Sequence, residues 1–419
     1  MRTPDTRVAG QRALEALRNG VPNSDAVRAL GCMQPAVLDA FSDRLDRLGV
    51  SDPEPPLVDG CLIAGGFGAG KSHTLSYLEQ KALERGFIVS RVVISKETPM
   101  HDAAKLFVAA IREARMPNGR GSLIDELAPR LDYRAAATAS FVEWALRKQP
   151  HGILAATVAI HERSNDDELS QQIVNYWSGE KLAVQEIRNA LKNLNVPGKH
   201  DVKTVKVADL APVRFEFAAR LARAVGFKGW VILLDEVELV ARYSLLQRAR
   251  SYAALASWLG ALPGHGVRGT VFLAAITDDF ALSVLDQRGD AEKAPERAKA
   301  KGDTRSLAMA AMAETGMDLI EKKAISLNPP NDDTLRASYE RLRDLYSAAY
   351  GTVPSGVFQP EVGSHRPMRS YVRRWISVWD MQRLDPQGVA DTEEEELQMV
   401  QGEDPELSAE SDQEQSESA

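Results

Sequence analysis

The sequence predicts an α/β fold: a parallel sheet covered by helices on both faces, interrupted by a large helical insertion and closed by a helical C-terminal unit. Three observations carry this. Short apolar runs, "LVDGCLIAGG" (57–66), "FIVSRVVIS" (87–95), "WVILLDE" (230–236) and "GTVFLAAIT" (269–277), are separated by stretches with helical spacing, the pattern of strands buried on both faces. A glycine-rich stretch ends the first run and opens a helix. An acidic pair ends the third.

Residues 7–49 place apolar side chains at helical spacing, with "NGVPNSD" supplying a break and an N-cap. The Pro-rich "SDPEPP" (51–56) excludes helix and leads into the first strand. After the glycines, "KSHTLSYLEQKALERGF" reads as a helix through Leu75, Leu78 and Ala82, and the β-branched run at 87–95 as the next strand. From about 99 to 229 the pattern is mostly helical, broken at "PNGRGS", "KQPHG" and "NVPGKHD". Beyond the strand at 230–236 we expect helices over 239–261, a strand at 269–277, a polar Ala-rich stretch, a short strand in "KKAISLNPP", and helices over 332–349 and 366–384. The domain reading is an N-terminal helical segment and linker (1–56), a core with the insertion (57–320), a C-terminal helical lid (321–388) and an acidic tail (389–419).

The 419 residues, 44% hydrophobic and 26% charged, suit a globular protein of more than one unit. No apolar window is long enough to span a bilayer, and the N-terminus lacks the apolar core of a secretory signal, so we expect a cytoplasmic protein without membrane contact. Cys32 and Cys61 read as buried thiols. The net charge of −8 comes from the tail: the last 29 residues hold 12 Asp and Glu and no Lys or Arg, and without them the charge is +4. Such a tail buries too little apolar area to order itself.

The stretch "CLIAGGFGAGKSHT" satisfies G-x-x-x-x-G-K-[ST] between a strand and a helix, the phosphate-binding P-loop context. Gly65, Gly66, Phe67, Gly68, Ala69, Gly70, Lys71, Ser72 and His73 form the candidate nucleotide site. Glycines let backbone N–H groups and the helix N-terminus face the phosphates, Lys71 supplies a point charge to the β and γ oxygens, and Ser72 offers its hydroxyl to Mg²⁺. Four apolar residues then Asp235 put a carboxylate at the end of a central strand, where it can hold Mg²⁺ through water; Glu236, next in line, can polarise an attacking water. The alternative for this pair is an acidic first turn. An acid directly after the strand Asp, without an N-K-x-D guanine-reading sequence, favours ATP over GTP.

Thr277, followed by Asp278 and Asp279, stands where AAA+ ATPases carry the polar sensor 1 on a strand between the two others; capping of the following helix is the equal alternative. On the last helix, with apolar face Met368, Val372, Trp375, Ile376 and Trp379, Arg369 is the preferred sensor 2 candidate and Arg366 the second, against a solvated arginine stripe that includes Arg373 and Arg374. The seven histidines show no metal-ligand spacing and there is no G-x-S-x-G.

Several stretches resemble the P-loop proteins of bacterial BREX phage-resistance systems, the family of BrxC and BrxD: "RALEALRNGVPNSDAVRALG" (12–31), "GGFGAGKSHTLSYLE" (65–79), "VVISKETPMHDAAKLF" (92–107), "YWSGE" (176–180), "VILLDEVELV" (231–240) and "RPMRSYVRRW". The length suits BrxD. The resemblance implies an AAA+-like core of the origin-recognition or STAND type, ATP with Mg²⁺, and helicase-like partners in a defence complex, with DNA and further copies of the chain open as partners. It carries Lys71, Ser72, Asp235 and Glu236 into the family's roles, and "GVPN" (20–23) toward the adenine. The insertion departs from such a core by its length. Within 181–214 it holds seven basic residues (Lys181, Arg188, Lys192, Lys199, Lys203, Lys206, Arg214) against three acids, which is a phosphate-backbone or partner surface or, more simply, a solvated helix pair. Arg242, Arg297 and Arg305 are equal candidates for an arginine finger.

The function read from the sequence is an ATPase coupling turnover to assembly or remodelling of a DNA-directed defence complex. Two other readings compete with it: a nucleotide-dependent switch that needs no turnover, and a small-molecule kinase that needs no Glu236.

Overall fold

The computed structural model describes residues 4–385 except 22, 118, 121, 149–151, 197–201, 356, 357 and 359–365. The acidic tail lies outside the described residues. Three helices open the chain, α1 (Pro4–Arg18), α2 (Ser24–Leu30) and α3 (Pro35–Leu48), followed by β1 (Cys61–Ala64), α4 (Lys71–Glu84) and β2 (Ile88–Val93). The insertion holds α5 (Ala103–Arg112), the hairpin β3 (Ala114–Met116) and β4 (Gly119–Arg120), then α6 (Leu123–Leu127), α7 (Ala136–Glu143), α8 (Gly152–Arg163), α9 (Asp167–Ser178), α10 (Val184–Asn193) and α11 (Val207–Ala224). Then come β5 (Trp230–Asp235), α12 (Leu245–Trp258), β6 (Thr270–Ile276), α13 (Asp290–Lys299), α14 (Thr304–Asp318), β7 (Ile325–Ser326), α15 (Asp332–Tyr350) and α16 (Met368–Leu384).

The sheet is mixed but mostly parallel, in the order β4-β3-β2-β5-β6-β1-β7; among the described residues β3 pairs antiparallel with both β2 and β4, and the other pairings are parallel. The strand pleat sorts the core. Ile63, Val231, Leu233, Leu273 and Ala275 face α3 and α4, while Leu62, Ile232, Leu234, Phe272 and Ala274 face the opposite helices, including α5, α11 and α12. Both sets are buried, which is why these strands read as unbroken apolar runs.

A third core lies off the sheet. Ala13, Leu14 and Leu17 of α1 and Ala26 and Leu30 of α2 pack with Tyr339, Leu342 and Tyr346 of α15 and Val372, Ile376 and Trp379 of α16. The amphipathic face expected on the last helix is the one buried. The N-terminal helices therefore part company: α3 covers the sheet while α1 and α2 join the C-terminal helices.

The helices expected over 239–261 are a tight turn at 237–242, which stops at Tyr243, and α12, which Ser244 starts with a capping box to Gln247. Two expectations need correction. Cys61 is buried, but Cys32 is only half-buried. The basic run at 181–214 is not a uniform solvated or partner-facing surface: Arg214 is 4% exposed and donates to the carbonyls of Tyr176, Gly179 and Glu180 at the end of α9, and Arg188 donates to the Val202 carbonyl at 2.8 Å. Two of its cations thus finish local structure. Among the described residues no helix is long and apolar enough to cross a membrane.

Candidate functional site

The C-terminal ends of β1, β5, β6 and β7 meet at one side of the sheet. The chain leaves β1 toward β2, beyond β6 and β5, and leaves β6 toward β7 on the other side of β1, so β1 is a topological switch point where α/β sheets bind ligands. The glycine loop sits on that point. Gly65 N donates to the Ile276 carbonyl and Leu327 N to the Ala64 carbonyl, which fixes the loop between β6 and β7.

Gly68 and Gly70 show why the loop is built of glycine. Gly68 has φ 76° and a Cβ there would lie 3.2 Å from Pro367, just before α16; Gly70 has φ 102° and caps α4 with no side-chain bond. The first N–H groups of α4 thus have neither an intrahelical partner nor a side-chain cap, the arrangement that accepts an anion.

Lys71 is buried, with Nζ donating to the Gly65 carbonyl at 2.8 Å and lying 3.5 Å from Glu238 Oε1. Glu238 Oε2 is buried without a hydrogen-bond partner, and burial pushes the carboxyl above its ordinary range despite the pull of Lys71. Asp235 is 2% exposed; its Oδ2 accepts from Arg91 Nη2 at 2.6 Å and its Oδ1 from the Glu236 N–H at 3.0 Å. Glu236 is exposed and stands in left-handed backbone, φ 57° and ψ 38°. Thr277 is buried at the end of β6, the strand between β1 and β5. The helical turn after it starts beyond Phe280 without a side-chain cap, so the capping alternative is not what Thr277 does.

Arg369, near the start of α16, reaches the loop: its N–H donates to the Gly68 carbonyl at 3.3 Å and its guanidinium lies 5.1 Å from the Phe67 ring centroid. Burial, helped by Arg373, lowers its pKa from the ordinary arginine value. Arg366 precedes α16 and is exposed. His73 Nε2 lies 2.6 Å from the Gly31 carbonyl, so this nitrogen carries the proton, and burial holds the ring below the ordinary histidine pKa. His73 ties α4 to the α2–α3 connection, and both ends of that bond line the same cavity.

The loop from Gly66, together with Lys71, His73, Asp235, Glu236, Glu238 and Arg369, borders a cavity of about 390 Å³ lined by residues 66–74, the connection 30–35, the segment 328–331, and Met368 and Val372; Gly65, Arg91, Thr277 and Arg366 are not among its lining residues. Of the "GVPN" stretch, only Gly20 lines it, and Val21 is exposed; Pro22 lies outside the described residues. The N-terminal wall is instead Leu30 to Pro35, where Gln34 clasps Asn328 with Nε2 to the carbonyl at 3.1 Å and Oε1 from the N–H at 2.8 Å.

The cavity thus gathers the glycine loop, Lys71, Ser72, Asp235, Glu236 and Arg369, while Arg242, Arg297 and Arg305 are not among its lining residues. Sequence reasoning missed Glu238, Arg91 and the wall at 30–35. A lone arginine inside the β-branched "IVSRVV" was the available signal for Arg91, since a charge in an internal strand requires a partner. The second acid of "DEVE" was the signal for Glu238.

The family model of the BREX system ATP-binding proteins BrxC/D matches residues 59–362, which hold every element of the cavity except α1 to α3 and α16. The chain belongs to this family. Membership gives it the ATP-binding role of that family in BREX defence and makes other BREX components its partners. Comparison with curated proteins and with solved structures returned no match.

Proposed function

We propose that the cavity is the Mg·ATP site of an AAA+-like P-loop ATPase, of the BrxD branch, whose turnover drives assembly or remodelling of a BREX complex on DNA. The observation that carries this reading is the uncapped start of α4 behind a glycine loop, with the buried Lys71 across it and Asp235, Glu236 and Arg369 on the same cavity. The domain reading is part of the proposal, with the lid 321–388 closing the cavity through Arg369.

The residues present fit the nucleotide and its metal. The N–H groups at the start of α4 would take the phosphates, Lys71 the β and γ oxygens, and the walls at 30–35 and 328–331 the base and sugar. Ser72 and Asp235 would hold Mg²⁺, Asp235 through water because Arg91 and the Glu236 N–H already occupy its oxygens. When bound, the metal supplies positive charge to the phosphate oxygens. Glu236, exposed toward the cavity, would hold the attacking water and take its proton, Thr277 would orient that water, and Arg369 would meet the charge on the terminal phosphate.

Calorimetric titration of the purified protein with Mg·ATP tests the site. We expect binding by the wild type and loss of at least about tenfold in affinity for Lys71→Ala, the scale of a charge-assisted contact. Equal affinities for the two proteins would overturn the assignment.

A further inference from the structure

The phosphate end of the cavity carries more negative charge than its motifs require. Beside Asp235 and Glu236, Glu238 is 8% exposed and faces Lys71 across 3.5 Å. Asp278 overhangs the loop, within 3.6 Å of where a Cβ on Gly66 would stand. Opposite these four carboxylates are Lys71, Arg91 bonded to Asp235, and Arg369 over Phe67 with Arg373 close enough to act on it. Among these described residues the charges balance, with no excess positive charge for an oligophosphate.

Resting on the reading of this cavity as a nucleotide site, we propose that Glu238 is the counter-charge of Lys71 and makes binding of a nucleoside triphosphate depend on a divalent cation. Two features of Glu238 support this. Its Oε1 shares the lysine's charge where screening by water is weak, so a phosphate approaching Lys71 also meets a buried carboxylate. Its Oε2 lies buried and unpartnered in a residue that lines the cavity. A carboxylate oxygen only accepts hydrogen bonds, and a nucleotide's phosphates, mostly deprotonated at neutral pH, are chiefly acceptors too; the waters of a hydrated cation donate. Glu238 therefore disfavours the free triphosphate and favours its metal complex. It acts through Lys71 and through metal-bound water, as a positioning residue.

The test is equilibrium binding of ATP and of adenosine to the full chain, each in Mg²⁺ and in EDTA, for wild type, Glu238→Gln and Glu238→Asp. We expect wild-type ATP affinity to fall about tenfold or more in EDTA, Glu238→Gln to recover most of that loss, and Glu238→Asp, which keeps the charge, to retain the metal dependence. Adenosine, which carries no phosphate, should bind all three alike. Glu238→Gln binding ATP in EDTA no more tightly than wild type, or shifting adenosine and ATP equally, would overturn the proposal. So would wild-type ATP affinity that is the same in Mg²⁺ and EDTA, which leaves the nucleotide site itself standing. No ATP binding by wild type in either condition would remove both. Should Glu238→Gln lose its fold by circular dichroism, Glu238→Ser carries the same comparison.

Discussion

Glu236 pays for its position: left-handed backbone is unfavourable for a residue with a Cβ, by about 1 kcal/mol, and here it turns the chain sharply out of β5 so that the side chain stands free while Asp235 stays buried. Neighbouring acids are thereby given different surroundings. We predict that Glu236→Gln keeps Mg·ATP affinity within about threefold of wild type while turnover falls by about 10² or more, as expected for loss of a general base. Titration together with phosphate release separates the two effects, and a parallel loss of affinity would contradict the assignment. That Lys71, Ser72 and Asp235 would share one cavity was legible because local motifs place them at a helix start and a strand end. Arg91 was not, because its partner Asp235 lies 144 residues away and no local pattern encodes that pairing.

At the scale of elements, a three-helix junction holds Arg369 over the glycine loop. Arg18 of α1 grips Asp380 of α16 through Nε at 2.7 Å and Nη2 at 2.8 Å, and Tyr350 and Tyr346 of α15 complete the network at 2.9 Å. Removing Asp380 leaves the Tyr346 hydroxyl without its acceptor and the Arg18 guanidinium with only the Tyr350 oxygen of this network. Asp380→Ala should loosen α1 against α15 and α16 by about 1–3 kcal/mol. Hydrogen exchange should rise in these helices and not in β5 or β6; unchanged exchange would show that apolar packing alone fixes the junction. The helices themselves were legible from their spacing. Where α1 and α2 dock was not: an amphipathic stripe specifies that a face is buried, not which surface covers it. The same limit applies to the cavity wall at 30–35, joined to residue 328 by the Gln34 clasp.

Across the whole molecule, the α/β sheet was legible because its strands are apolar on both faces, and the insertion was legible as helix. Its basic run misled, since a count of charges does not distinguish a solvated Lys from an arginine buried against carbonyls, as Arg214 is. Half-buried histidines give the molecule a pH signature. His73, His101 and His161 are all held below the ordinary histidine value, chiefly by burial, and His101 is lowered to about 4. A depressed histidine favours the fold above its unfolded pKa, and that contribution is lost as pH falls from about 6.5 toward the folded value. His101 alone should remove about 2 kcal/mol between pH 7 and 5. Denaturant melts should therefore show stability falling over that interval; a flat profile would contradict the burial of these rings.

Hydrolysis of ATP in this cavity is the proposed activity. Steady-state phosphate release from the purified chain with Mg·ATP, with and without duplex DNA, tests it most directly. We expect release that Lys71→Ala and Glu236→Gln each abolish. Tight Mg·ATP binding with no release above the Glu236→Gln background, alone, with DNA or with BREX partners added, would contradict it and leave a nucleotide-held switch in its place.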